Sequence, residues 1–196
     1  MGQTKATMTS ARQGLGSFFQ ALLDFVENRG LTAQVRAQVS PGTQALIDKP
    51  PRAMGFIDSQ PIDEVEAALA TLVSPEVLTE CGLACARPLG WSLLQPVLRL
   101  AFQFFGQSPE PIFGNLDMFF SLVIRGISFS FERKGKGGTV LARFAGEETP
   151  MAAFQVLRGT LLFVFEATST KGTIDEPVMV ETTAAGTTVR YQVHWE

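Results

Sequence analysis

The stretch ISFSFERKGKGGTVLARF, Ile127 to Phe144, decides the fold. Ile127, Phe129 and Phe131 alternate with Ser128, Ser130 and Glu132, the repeat of a half-buried strand. Lys134-Gly135-Lys136-Gly137-Gly138 is a hairpin loop, and Val140, Ala142 and Phe144 continue the alternation on the returning strand. Downstream, Thr149-Pro150 opens an amphipathic helix marked by Met151, Phe154, Leu157, Leu161, Leu162 and Phe165. A second hairpin closes the sequence. Val178 and Val180 precede Ala184-Ala185-Gly186, after which Val189, Tyr191, Val193 and Trp195 alternate with Arg190, Gln192 and His194.

Upstream of Ile127 the hydrophobic repeat is helical. Leu15, Phe18, Phe19, Leu22, Leu23 and Val26 form one stripe of a helix that starts at Ala11 and ends at Gly30. A short helix over Thr32–Val39 follows, and Ser40-Pro41 supplies an N-cap and first-turn pair for another, to Asp48. Ile62, Val65, Ala68, Leu69 and Leu72 stripe the next helix. Asp63, Glu64 and Glu66 stand at its start, where the macrodipole favours acids. Ser74-Pro75 opens a helix to about Arg87. Gly90–Phe105 reads as a helix interrupted by Pro96, and Pro111 to Arg125 as the last of the block. The sum is an α+β fold, a helical N-terminal half packed on a four-stranded antiparallel sheet of ββαββ order.

At 196 residues, 45% hydrophobic and 18% charged, the chain is globular. Residues 1–10 are polar and are expected to form a disordered tail ahead of a single domain over 11–196. A net charge of −3 offers no basic field for a phosphate backbone, so no nucleic-acid partner is expected. The apolar run between Arg87 and Arg99 has only 11 residues, short of the roughly 18–20 that a spanning helix needs, so no membrane span is expected. The start, MGQTKATMTSARQG, has no apolar leader region, and the expected location is cytoplasmic.

Chemistry-bearing residues are sparse. Cys81 and Cys85 share a helix face at a spacing that rarely permits a disulfide, and ECGLACA reads as a small-residue packing face. His194 is the one histidine and falls on the solvent side of a strand. No nucleophile elbow, zinc-protease helix, Cys-x-x-Cys or phosphate-loop pattern occurs, so no catalytic residue, cofactor or metal site is assigned and the chain reads as non-enzymatic. The unusual feature is phenylalanine: 12 of the 16 fall between Phe102 and Phe165. They fill a rigid core, line an apolar cavity or face a second subunit. As a pocket, the walls are Phe102, Phe105, Phe119, Phe120, Phe129, Phe131 and Leu161, with Arg125 and Arg158 as the nearest polar groups.

Several stretches also carry a resemblance. They are GSFFQALLDFVENRG (16–30), VLTECGLACA (77–86), PIFGNLDMFFSLVIRGISFSFERKGKGGTVLARFAG (111–146), FQVLRGTLLFVFEATSTKG (154–172) and TTVRYQVHW (187–195). Together they resemble a paralogous family present in many copies in myxobacteria. More distantly they resemble the haem-nitric-oxide-binding and four-vinyl-reductase-type ligand-binding domains. The resemblance implies a helical layer over a small antiparallel sheet, often dimeric, used as a sensory or ligand-binding module. Haem-binding members carry a proximal His on a helix and a Tyr-x-Ser-x-Arg motif. Here His194 is on a strand and the one tyrosine sits in Tyr191-Gln192-Val193, so haem is not expected. The last hairpin loop, Thr182-Thr183-Ala184-Ala185-Gly186, lacks the cysteines that some relatives place there, so no metal is expected.

The sequence thus points to a sensory or ligand-binding domain for an apolar small molecule, acting through homodimer or partner contacts. A ligand-free interaction scaffold is the alternative. Apolar character over Trp91–Phe105 and Met118–Ile124 exceeds what one core of this size covers, and such patches usually mark interfaces. Light scattering at tens of micromolar should therefore give the mass of a dimer; a monomer mass would count against this interface.

Overall fold

The structure is a computed structural model that describes residues 12–91, 108–146 and 149–196. The expected tail over 1–10, most of the helix read over Gly90–Phe105, and Phe102 and Phe105 lie outside the described residues. The α+β class holds. In the helical half, strand β1 (Gln13–Leu15) leads into α1 (Gly16–Asn28), α2 (Thr32–Gln38) and α3 (Pro41–Asp48). Strand β2 (Phe56–Asp58), α4 (Gln60–Ala70) and α5 (Pro75–Leu89) follow. The start of α3 is as the sequence indicates: Ser40 Oγ accepts from the Thr43 amide, with Pro41 in the first turn. The first helix begins later than its stripe suggests. Gln13 and Gly14 are claimed by strand pairing, to Asp58 and Ile57 of β2 on one side and to Arg125 and Ile124 on the other.

The helix expected from Pro111 to Arg125 is instead two short ones, α6 (Glu110–Phe113) and α7 (Leu116–Phe120), followed by β3 (Ile124–Arg125). Tertiary bonds overrule the helical repeat here. Asn115 turns back through its Nδ2 to the Pro111 carbonyl at 2.8 Å, and the Phe129 amide donates to Asp117 Oδ1 at 2.7 Å, which ties α7 to the next strand. Gly126, at φ +78°, then turns the chain into the main sheet.

That sheet contains β4 (Ile127–Arg133), β5 (Gly137–Ala145), β6 (Gly172–Ile174), β7 (Val178–Thr183) and β8 (Gly186–Trp195), with α8 (Met151–Thr168) between β5 and β6. The order is β4-β5-β8-β6, all antiparallel, with β7 paired to the other end of β8. The ββαββ order stands, and the short β6 adds a fifth strand beside it. Val178 and Val180 are strand residues as expected, but all of β7 is exposed, because it lies at the edge and off the core.

Two apolar clusters make the interior, and α8 separates them. One lies within the helical half around Phe19, Leu22, Val65, Leu69, Cys81 and Cys85, and takes Ala152 and Val156 from α8. The other lies between α8 and the sheet, where Phe154, Leu157 and Leu161 meet Val140, Phe144, Val189 and Tyr191. A helix with apolar neighbours on both sides must be apolar all round. This is why α8 is, by length and composition, apolar enough to cross a membrane while 67% of it is buried inside the protein. The Tyr191 hydroxyl, fully buried, donates to the Phe154 carbonyl at 3.0 Å and fixes sheet to helix.

Helices α5 and α8 touch backbone to backbone. A Cβ on Gly82 would stand 1.8 Å from the Val156 carbonyl oxygen, and one on Gly159 would stand 1.8 Å from that of Thr79. Only two glycines in register permit this crossing. Gly82→Ala or Gly159→Ala should each lower the unfolding free energy by about 1–3 kcal/mol or more, the cost of forcing extra volume into a packed contact. Urea denaturation checks this, and an unchanged midpoint in either variant would contradict the crossing.

Candidate ligand-binding site

Two cavities lie along α8. The first, of about 60 Å³, is wedged between α5, α8 and the α6–α7 pair. Its described walls include Phe18, Ala86, Leu89, Ile112, Leu116, Phe119, Phe120, Phe163, Val164 and Ala167. Thr160 is the one hydroxyl among them, and it is spent on the backbone, donating to the Val156 carbonyl at 3.0 Å. Behind the wall, Trp91 stands edge-on to Phe163 with ring centroids 5.4 Å apart. This cavity is apolar on every described side.

The second cavity, of about 40 Å³, lies between β1, α4, α8 and the first strands of the sheet. It ends on polar groups: Arg12, Ser59, Asp63 and Glu66 stand among Phe18, Ile62, Phe144, Val156 and Leu157. Arg12 holds Asp63 through both guanidinium nitrogens, at 2.6 and 3.2 Å, and lies 5.8 Å from the centre of the Phe144 ring. The two side chains are only 7% and 17% exposed. Ser59 Oγ adds a third bond to Asp63 at 3.3 Å.

The electrostatics follow from burial. Glu66 is fully enclosed, and desolvation lifts its carboxyl well above the usual range; the negative charge of Asp63 adds to the lift and Arg12 opposes it. Asp63 is itself held above the ordinary carboxylate range, because burial outweighs its Arg12 partner. Burial, with the field of Glu66, likewise raises the Tyr191 phenol, and the Cys81 thiol is raised by its bond to Cys85 and by burial. The acids at the start of α4 are therefore more than macrodipole partners. Only Glu64 fits a partly solvated role, accepting from the Ser40 amide at 2.8 Å and from Gln60 at 2.9 Å.

Of the pocket residues read from sequence, Phe119 and Phe120 line the apolar cavity. Phe129 packs outside it, on Phe120 at 4.6 Å, and Phe131 stacks on Phe113 at 5.6 Å near Trp195. Leu161 is fully buried in the cluster against the sheet. Arg125 lies 3.9 Å over the Phe56 ring, and Arg158 bonds the Ile174 carbonyl at 2.9 Å and Glu176. None of these last five appears among the described cavity walls. Glu66, which the sequence offers as a macrodipole partner at the start of α4, is instead buried at the second cavity. The signal for it is its position, four residues after Ile62 and three before Leu69, which puts it on the apolar stripe of α4.

No protein-family model matches the chain, and no curated protein matches it. Its fold is that of solved H-NOX structures. It is similar to the Fe(II) unliganded H-NOX protein from K. algicida, with a TM-score of 0.64 and 14% identity over 93% of this chain and 96% of that one. It is also similar to an oxygen-binding H-NOX domain related to soluble guanylate cyclases, solved as its oxygen complex. There the TM-score is 0.59 and the identity 9%, over 92% of this chain and 94% of that one.

That fold raises the question of haem, and the donors of this chain do not fit one. The single histidine, His194, is on the outer face of β8, 57% exposed, with Nε2 3.4 Å from Asp175 Oδ2. Tyr191 is engaged with Phe154, and Cys81 and Cys85 are buried within the helical cluster. None of the four lines either cavity, and residues 92–107 contain no His, Cys, Tyr or Met. A cavity of about 60 Å³ is also far below the roughly 300–1,000 Å³ of cofactor pockets.

Glu66 makes stability depend on pH with a known sign. Its folded pKa lies above the unfolded value, so its contribution is fully present below the unfolded pKa, near 4.5, and is lost as pH rises towards the folded one. Across that window the loss is about 1.4 kcal/mol per pH unit. Glu66→Gln, neutral at every pH, should match the wild type near pH 4 and be more stable by pH 8. Parallel urea titrations check this; identical pH profiles would show that Glu66 ionises freely.

Proposed function

We propose that this chain is a non-enzymatic sensory domain that binds a small apolar molecule without haem. The observation that carries the proposal is the cavity of about 60 Å³ at the junction of α5, α6, α7 and α8, with hydrocarbon on every described side. Empty cavities of this kind stay dry, because water finds no hydrogen-bond partner there, and they take up apolar atoms of matching size. The neighbours in the same fold are an oxygen-binding domain and an iron-bearing H-NOX protein, which supports a sensory role. Binding here would press on α6 and α7, the two short helices that join the helical half to the sheet. Their outer side carries Met118, 51% exposed, near Leu122, 46% exposed, and Trp91, 48% exposed, packs edge-on against the wall residue Phe163. An event inside thus has a short path to an apolar surface suited to a second copy or a partner. The same exposed residues would serve an interaction scaffold with no ligand, which is the competing reading.

Xenon separates the two. Xenon-129 NMR should show saturable binding to the wild type, and Ala86→Leu, which places a side chain into the cavity, should abolish it while leaving thermal stability equal or higher. No xenon uptake, together with a loss of about 3–5 kcal/mol for Phe119→Ala as in a filled core, would favour the scaffold.

A further inference from the structure

The two cavities are neighbours along one helix. Phe18, Ile124 and Thr160 line both, so the same three side chains form the partition between an apolar lobe and a polar-ended one. Within the polar end, Arg12, Asp63 and Ser59 are bonded to one another. Glu66 differs. It is 3% exposed, it lines the lobe, and no hydrogen bond reaches its carboxyl from any described residue. Buried polar groups are rarely left so, and one that faces a cavity is a built hydrogen-bonding position without a protein partner.

The chemistry of the missing partner follows from the surroundings. The lobe already holds a matched charge pair, Arg12 with Asp63. An added anion would meet the Asp63 carboxylate and an added cation the Arg12 guanidinium, both in a medium where charge is poorly screened. A neutral group escapes both penalties. Burial disfavours the charged form of Glu66; in its neutral form the carboxyl offers one O–H donor, for which the complementary group is a neutral oxygen acceptor. The lobes of about 40 and about 60 Å³ compare with the roughly 150 Å³ that accommodates benzene, which limits the occupant to a handful of heavy atoms.

We propose that the two lobes form one site for a small neutral amphipathic molecule, a short hydrocarbon body in the apolar lobe with a carbonyl oxygen accepting the Glu66 O–H. This deepens, and rests on, the ligand-binding role proposed above for the apolar lobe. Ordered water in the polar lobe is the competing occupant.

A matched pair of probes tests it on the full chain: 2-butanone, and 2-methyl-1-butene, in which the carbonyl oxygen is replaced by a CH₂ group. Affinities for both are measured by NMR titration of the wild type, Glu66→Gln and Glu66→Leu. The quantity read is the ratio of ketone to alkene affinity, in which the different hydration of the two probes cancels between proteins. The ratio should fall about tenfold in Glu66→Leu, the worth of one hydrogen bond in a dry site. It should stay within about threefold of the wild type in Glu66→Gln, which keeps an N–H donor. A ratio that changes by about threefold or less in Glu66→Leu, with both probes still binding, overturns this proposal alone and leaves water as the partner of Glu66. If neither probe nor xenon enters the wild type, the ligand-binding role itself fails, and this proposal with it.

Discussion

The crossing of α5 and α8 through Gly82 and Gly159 is the contact on which the rest depends. Each glycine admits a carbonyl of the opposite helix to a distance that no side chain permits. With the two axes locked this close, α8 presents one face to the helical cluster and the other to the sheet, so a single helix serves two cores. The same closeness leaves little slack where α5 ends. There Gly90 packs closely on the Phe163 ring of α8, and the apolar cavity lies between them and the α6–α7 pair.

A second constraint runs through the apolar interior: the polar seam of Arg12, Ser59, Asp63 and Glu66. Buried ions seldom add net stability against an apolar replacement, whereas a half-removed pair is costly. Arg12 holds Asp63, and no hydrogen bond from a described residue reaches the carboxyl of Glu66. A core built for stability alone would place a leucine on that stripe of α4. The carboxyl, beside a cavity, is a feature of this interior that packing alone does not explain.

The fold is shared with H-NOX structures at TM-scores near 0.6, at identities where only the architecture is informative. Architecture and chemistry separate in this chain. The overall fold is shared, while the donors of this chain lie away from both cavities: His194 on the outer face of a strand, Tyr191 on a backbone carbonyl, the cysteines inside a core. Function lives in the side chains that line a site, and a common scaffold hosts several.

The sequence by itself determined the elements whose side-chain pattern has a local cause. The α1 stripe, the Ser40-Pro41 cap, both hairpins and the core helix follow from repeat and cap chemistry, and with them the α+β class. It also offered Phe119 and Phe120 as pocket walls, with a filled core or a subunit face as alternatives, and both side chains border the apolar cavity. What only the tertiary structure decided are matters of partnership between distant segments. The break at Gly114-Asn115 depends on Asp117 receiving the Phe129 amide, and β1 forms because β2 and β3 arrive on either side of it. The burial of Glu66 has the same origin. An acid in the first turns of a helix reads as a solvated dipole partner, and its burial beside the polar-ended cavity is set by α8 and β1 packing around it. Local sequence fixes which way a side chain points on its own element; only the packed fold fixes what lies there to meet it.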